Sequence, residues 1–275
     1  MFKRYEGRAW EDRFLPRLTS PEIRDLPKDD ALVILPLGAV EQHGPHLPVM
    51  TDALIGEAVL TRTLKLLPKK SNIWLLPPLA YGKSNEHLEF AGTISLSAYT
   101  LESILIDIAV SLRKSGFRRL LLFNTHGGNQ DLFYVAAREI RLLTEMMVFY
   151  VSPGSLKAGA DLMPEEEREF GIHGGDAETS LVLAIKPGWV RKDRLVRELP
   201  DMSGYRYLTL EGKIRFAWAM NDISESGIAG DATAATAEKG EIMLQRMSAA
   251  LAEAMQEMCA FEISSVKSKK SAISL

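Results

Sequence analysis

Four short, nearly unbroken apolar runs punctuate the chain: 31–37 (ALVILPL), 72–76 (NIWLL), 119–124 (RLLLFN) and 147–151 (MVFYV). They lack the alternation of a half-exposed strand, and their brevity and β-branched and aromatic content predict strands buried on both faces. Between them, apolar residues recur at helical spacing over 53–67, 101–115 and 132–145. A further helix is predicted after "GGDAETS" through 182–185, and a long alanine-rich one from about 234 to 259. Strands alternating with helices predict an α/β fold with a mostly parallel sheet covered on both sides. Residues 200–230 are less regular, with a possible strand or hairpin at 213–220 (KIRFAWAM). No repeat or linker interrupts the pattern, so we read one domain over 1–262 and a Ser- and Lys-rich tail over 263–275 that frays into solvent.

Composition narrows the function classes. The 275 residues are 46% hydrophobic and 25% charged, with a net charge of −3, which is ordinary globular composition. Without a basic field, neither nucleic acid nor an anionic membrane is an expected partner. A single cysteine, Cys259, rules out an internal disulfide and thiolate zinc clusters, so any metal here would use His, Asp or Glu. The opening residues lack the apolar core of a signal peptide, and no stretch approaches the ~20 apolar residues of a membrane span. A cytoplasmic setting is the expectation.

The polar chemistry collects where parallel sheets bind ligands, beyond the carboxyl ends of strands. "LPLGAVEQHGPHLPVMTD" follows the first strand, "YGKSNEHLEFAGT" the second and "THGGNQ" the third, and "GIHGGDAETS" precedes a helix. All five histidines, His43, His46, His87, His126 and His173, lie in these four segments. Glu41 and His43, two apart in an extended stretch, leave the same face about 6.5 Å apart along the chain. That spacing lets each bind a different member of a metal pair roughly 3.5–4 Å apart. Asp52 is placed to bridge both ions, or to cap the helix that follows it. Glu41 and His43 also read as a surface ion pair, and His46, near two prolines, as ligand or structural residue. In "NTHGGN", Gly127 and Gly128 suit a tight turn, a phosphate cradle or clearance around a metal-ligating His126; no Lys or Arg follows to support the phosphate. Asn124 and Asn129 read as turn-formers or as donors behind the ligands. His173 and Glu178, five apart, do not share a helix face. The glycines place His173 on a loop as a proton shuttle, while Glu178 reaches in as a ligand or simply answers the helix dipole. Glu86 and His87 either line the site or pin their loop.

Taken in order and spacing, "LPLGAVEQHGPHLP…TD", "YGKSNEHLEFAGTISL", "NTHGGN", "HGGDAETS" and "GIAGDATAATAEKG" resemble the creatininase (creatinine amidohydrolase) family over residues 30 to 245. The resemblance implies a three-layer α/β/α fold, two divalent metals per subunit and a homo-oligomer, often a hexamer. It makes Glu41, His43, Asp52 and His126 metal ligands with Asp52 bridging, and His173 the acid/base. Creatininase carries a further glutamate ligand where this chain has Gly128, which puts creatinine in doubt as the substrate and leaves Glu178 to supply the carboxylate. Relatives with glycine there include a deformylase, a peptidase of redox-cofactor maturation and a hydrolase of an oxidised inositol ring. The expected chemistry is attack of a metal-bound hydroxide on an amide or cyclic amide carbonyl, with Zn, Mn or Fe as the ions. The rival enzyme reading is metal-dependent hydrolysis or isomerisation of a keto-inositol or similar carbohydrate ring, with C–C cleavage beside the ketone; the rival class is a metal-holding protein without turnover.

Overall fold

The computed structural model describes residues 7–266 apart from 157 and 213. In chain order the elements are α1 (Arg8–Arg13), α2 (Ser20–Asp25), β1 (Leu32–Leu37), α3 (Thr51–Leu66), β2 (Ile73–Leu75), α4 (Ala98–Lys114), β3 (Arg119–Asn124), α5 (Gln130–Thr144) and β4 (Met147–Val151). There follow α6 (Glu165–Phe170), α7 (Asp176–Ile185), the two-residue strands β5 (Arg197–Glu198), β6 (Leu208–Thr209) and β7 (Ile214–Arg215), α8 (Met220–Ile223), β8 (Gly230–Asp231) and α9 (Ala237–Ala260).

The main sheet is parallel in the order β2-β1-β3-β4. Every residue of β1 and β3 is buried, as apolar runs covered on both faces require. Leu32, Ile34, Leu121 and Phe123 pack beneath α3, α7 and α9 through Val59, Leu60, Val182, Leu244 and Leu251. Val33, Leu35, Leu120 and Leu122 face α4 and α5 through Leu101, Leu105, Phe133 and Ala136. The result is a three-layer α/β/α fold. From β1 the chain crosses by α3 to β2, then returns over the opposite face by α4 to β3 on β1's other side. The carboxyl ends of β1 and β3 therefore form a topological switch point, where such sheets open a crevice.

Pro36 sits in a central strand, a position that usually excludes proline. Its carbonyl accepts from Leu79 N at 2.9 Å, so its missing N–H faces the same side. The β1–β2 pairing stops at Ile34↔Leu75, and no ladder bond is lost.

The helices differ from the periodicity at their ends because caps set them. α4 begins three residues before 101, where Ser97 accepts from Thr100 N at 3.1 Å. α9 begins at Ala237, three residues after 234, because Asp231 caps a 3-10 turn over Ala232–Ala234 and Thr236 then accepts from Lys239 N. The 213–220 stretch forms no hairpin: β7 pairs in parallel with β6. The start of the tail is a 3-10 turn over Ile263–Val266, and residues 267–275 lie outside the described residues. No described helix is long and apolar enough to cross a membrane.

Candidate metal centre

The stretch after β1 is held extended, with Glu41 N donating to Val49 O at 2.8 Å and Ile94 N to Val40 O at 2.9 Å. Glu41 and His43 accordingly point to one side and Gln42 to the other. Gly44 turns the chain at φ 66, where an added Cβ would meet Ile228 at 2.3 Å; only glycine fits. His43 Nδ1 donates to the Glu41 carbonyl at 3.1 Å, which leaves Nε2 bare. Asp52 does not cap α3. It lies inside the first turn, after Met50 in the cap position and Thr51 as first residue, and its side chain turns to the site instead.

His126 follows β3. Asn124 grips its backbone from both sides, Nδ2 donating to His126 O at 2.7 Å and Oδ1 accepting from His126 N at 3.2 Å, and Asn129 steadies Asn124 at 3.1 Å. His126 Nε2 donates to Lys83 O at 2.9 Å, so Nδ1 is free, 3.1 Å from Glu41 Oε1 and 3.3 Å from Asp52 Oδ2. Asp52 Oδ1 is 3.3 Å from His43 Nε2. Glu178, in the first turn of α7, divides its oxygens: one accepts from Gly174 N at 2.7 Å and the other lies 3.8 Å from His43 Nε2. His173 donates from Nε2 to Gln42 O at 2.7 Å and presents Nδ1 to Glu41 at 3.7 Å.

Three donor groups result, each with ligand atoms within 4.8 Å of one another: Glu41–Asp52–His126, His43–Asp52–Glu178 and Glu41–His43–His173. Glu41 Oε2, His43 Nε2 and Asp52 Oδ2 are buried without a hydrogen-bond partner. Such atoms are costly unless something cationic lies among them. The donors are hard oxygens and imidazole nitrogens, suited to divalent zinc, manganese or iron. The residues fit a metal centre.

The electrostatics agree. Burial alone would lower the pKa of His43 and His126, but Asp52 and Glu178 around the first, and Glu41 and Asp52 around the second, raise both well above the ordinary value. Burial would raise Asp52 and Glu178, yet the imidazoles, His43 foremost, hold both below the carboxylate range. In the metal-free protein, protons on two imidazoles supply the positive charge that the carboxylates demand. Burial and the neighbouring His43 depress His173, and His46 falls to about 4 for the same two causes.

The remaining sequence-predicted residues separate into two groups. His87 is pinned: Gln42 donates to its Nδ1 at 2.8 Å, which aims Nε2 at Glu41 Oε2, 3.8 Å away, and its ring stacks on His173 at 4.3 Å. Glu86 lines the cavity, paired with Lys83 at 3.0 Å and lying 3.8 Å from His126 Nε2. His46 joins no donor group; its Nε2 meets Thr179 Oγ1 at 2.8 Å, tying the loop to α7. Gly127 and Gly128 form cavity floor. A Cβ at Gly128 would stand 2.0 Å from Glu86 Oε1 and 2.6 Å from Lys83 O, so Glu86 fills the space a side chain there would take.

Sequence reasoning missed Gln42 as a hub. Its amide donates to His87 and to Gly227 O at 2.6 Å, and its side-chain oxygen accepts from Gly44 N at 2.8 Å. The alternation that placed it opposite Glu41 and His43 was the available signal. It also missed Glu167, whose two oxygens accept from Asp176 N at 2.8 Å and Asp231 N at 2.7 Å and so fix the start of α7; nothing in "EEEREF" distinguishes it. Above the site opens a cavity of about 840 Å³, walled on one side by Leu210, Glu211, Phe216 and Trp218.

A family model described as creatinine amidohydrolase matches residues 16–255. A mycofactocin precursor peptide peptidase of Mycobacterium ulcerans (strain Agy99) is 36% identical over 227 residues, 81% of this chain and 83% of its own. Creatinine amidohydrolase of Pseudomonas putida is 32% identical over 248 residues, 83% of this chain and 90% of its own. Among solved structures, one described as "Creatininase Mn" matches with TM-score 0.70 at 29% identity, over 89% of this chain and 97% of that one. A mutant creatininase of "Zn-Zn type" matches with TM-score 0.72 at 28% identity, over 92% and 98%. The chain belongs to the creatininase family and is a hydrolase of that family rather than a metal-holding scaffold.

Proposed function

We propose that the protein hydrolyses an amide bond, in a peptide or other linear amide, with two divalent metal ions. The observation that carries this reading is Asp52, whose two oxygens face different imidazoles and so belong to two donor groups at once. In this reading Glu41, Asp52 and His126 hold one ion, and His43, Asp52 and Glu178 the other. Bound there, the pair would lower the pKa of a water molecule and polarise the substrate carbonyl. The chain's residues do the rest. Gln42 turns His87 toward Glu41, the Lys83 carbonyl fixes the His126 tautomer, and the Gln42 carbonyl holds a proton on His173 Nε2. His173 Nδ1 is thereby left to take a proton and deliver it to the leaving nitrogen. Phe216 and Trp218 wall the cavity against bulk water. A cavity near the upper end of the ~300–1,000 Å³ range for ligand sites exceeds the need of a small cyclic amide, and peptidases stand among the relatives.

The test is to strip the protein of metal, reload it with manganese, zinc or iron, and offer peptides, cyclic amides and keto-inositols. We expect no turnover without metal, and restored hydrolysis of amides with it; turnover of the ketones alone would replace this reading with C–C cleavage. We further propose a single catalytic domain to residue 262 in a cytoplasmic homo-oligomer, six copies by family habit, which sedimentation at micromolar concentration measures.

A further inference from the structure

The charged groups lining the outer cavity are nearly all matched. Lys83 Nζ pairs with Glu86 at 3.0 Å and Arg215 with Asp131 at 3.0 Å. Asp222 accepts from Ala219 N at 2.8 Å, which commits it to starting α8. Glu41, Asp52 and Glu178 face the imidazoles of the metal centre. Glu211 is the exception: among the described residues it has no hydrogen bond and no ion pair within 4 Å, and the charge of Arg215 reaches it at longer range across the same cavity.

Its place gives that charge a use. Apart from Gly127's own chain neighbours, Glu211 Oε1 is the one described atom within 4 Å of the point a Cβ on Gly127 would occupy, at 3.7 Å. Gly127 is the next residue after His126, so the carboxylate stands over bare backbone directly beside the donor cluster. The carboxylate thus reaches the Gly127 floor from the wall that also carries Phe216 and Trp218, and it bounds the cavity on the side next to His126. A substrate filling this space strips water from Glu211. A neutral or acidic substrate leaves that carboxylate unpaired, whereas an ammonium or guanidinium gains a charge-assisted hydrogen bond. Phe216 and Trp218 line the same wall, and aromatic side chains favour the same cations.

We infer that Glu211 is a specificity-determining residue that selects amide substrates carrying a positive charge beside the scissile bond. This rests on the amide-hydrolase reading above. The experiment uses the metal-loaded enzyme and a set of peptides in which one lysine is moved along both sides of the scissile position. Each has a norleucine and a glutamate counterpart, and free and acetylated N-termini are compared. We expect kcat/KM for the best lysine peptide, or for the free N-terminus, to exceed its neutral counterpart by about 10- to 100-fold, the range for a hydrogen bond to a charged group. Glu211→Gln should abolish that preference, leaving neutral peptides within about threefold and metal content unchanged, since a fully neutral pair makes no use of the charge. Glu211→Lys should turn the preference toward the glutamate peptides. A wild-type enzyme that cleaves peptides with no charge preference, or a preference that survives in Glu211→Gln, overturns the assignment while the amide reading stands. Failure to cleave any amide removes both.

Discussion

Glu178 and His173 each carry two polar atoms with different employment, and substitutions can separate them. Glu178 accepts from Gly174 N with one oxygen and faces His43 with the other. Glu178→Gln keeps an acceptor for Gly174 but offers a poor ligand. If the residue only answers the helix dipole, stability falls by about 0.3–1 kcal/mol and metal content is unchanged. We expect instead that elemental analysis finds the metal content reduced. For His173→Ala we expect kcat to fall about 10²–10⁴-fold with metal retained, the usual loss for a general acid/base; loss of metal along with activity would make Nδ1, which faces Glu41, a ligand instead. Most of this centre was legible in the sequence, because spacing alone put Glu41 and His43 on one face and because all five histidines clustered at strand ends. Asp52 read equally well as a cap, since residue type cannot distinguish the cap from the second position of a helix; Met50 and Thr51 hold those earlier places. Gln42 and Glu211 were illegible for a different reason. Their roles depend on residues 45 to 185 positions away in the chain or on a wall whose course no local pattern encodes.

At the scale of the element, the strands were easier to read than anything around them. Runs such as LVILPL are apolar because both faces of β1 are covered, and their ends coincide with the pairing register, Leu32↔Arg119 through Leu37↔Asn124. Helix ends were less legible because a single cap overrides periodicity, as Ser97 and Thr236 do. The short strands between residues 197 and 231 carry no pattern at all; two residues cannot show a period. The energetic prediction belongs to β3. Phe123 is fully buried beneath α3, one position before Asn124 ends the strand that delivers His126. Phe123→Ala should lower unfolding free energy by about 3–5 kcal/mol, measured by urea titration of the metal-free protein. The cavity lies one residue from Asn124, whose bonds set the His126 backbone. Metal affinity should therefore fall as well. Leu105→Ala, on α4 where it packs against the opposite face of the sheet, should lower stability by about 2–5 kcal/mol with metal affinity unchanged, and equal losses of affinity in the two variants would disconnect packing from the site.

For the molecule as a whole, the centre ties pH, stability and metal uptake together. In the metal-free protein His43 and His126 titrate well above the ordinary imidazole value because carboxylates surround them. Groups whose pKa rises on folding stabilise the fold fully below about pH 6.5, the unfolded value, and that contribution disappears as pH climbs through the higher folded values. Asp52 and Glu178 are shifted the other way, so their contribution is present above about pH 4 and is lost as pH falls further. His173 and His46, depressed by burial, oppose the imidazole contribution on the acid side, since they resist the protons that the unfolded chain takes up below about pH 6.5. Together the shifts predict greatest stability of the metal-free protein near neutrality, with a decline toward alkaline pH. On the proposed ligand set, metal must displace the imidazole protons, because His43 Nε2 and His126 Nδ1 cannot hold both. Uptake at pH 7 should then release roughly one to two protons per centre, and apparent affinity should rise about tenfold per pH unit for each proton displaced, levelling off above the raised values. Calorimetric titration with zinc or manganese in buffers of different ionisation enthalpy measures the proton count directly. Metal-loaded protein, whose imidazoles no longer titrate, should lose the alkaline decline in thermal unfolding. Binding without proton release at pH 7 would mean that the ions lie elsewhere than between Asp52 and its two histidines.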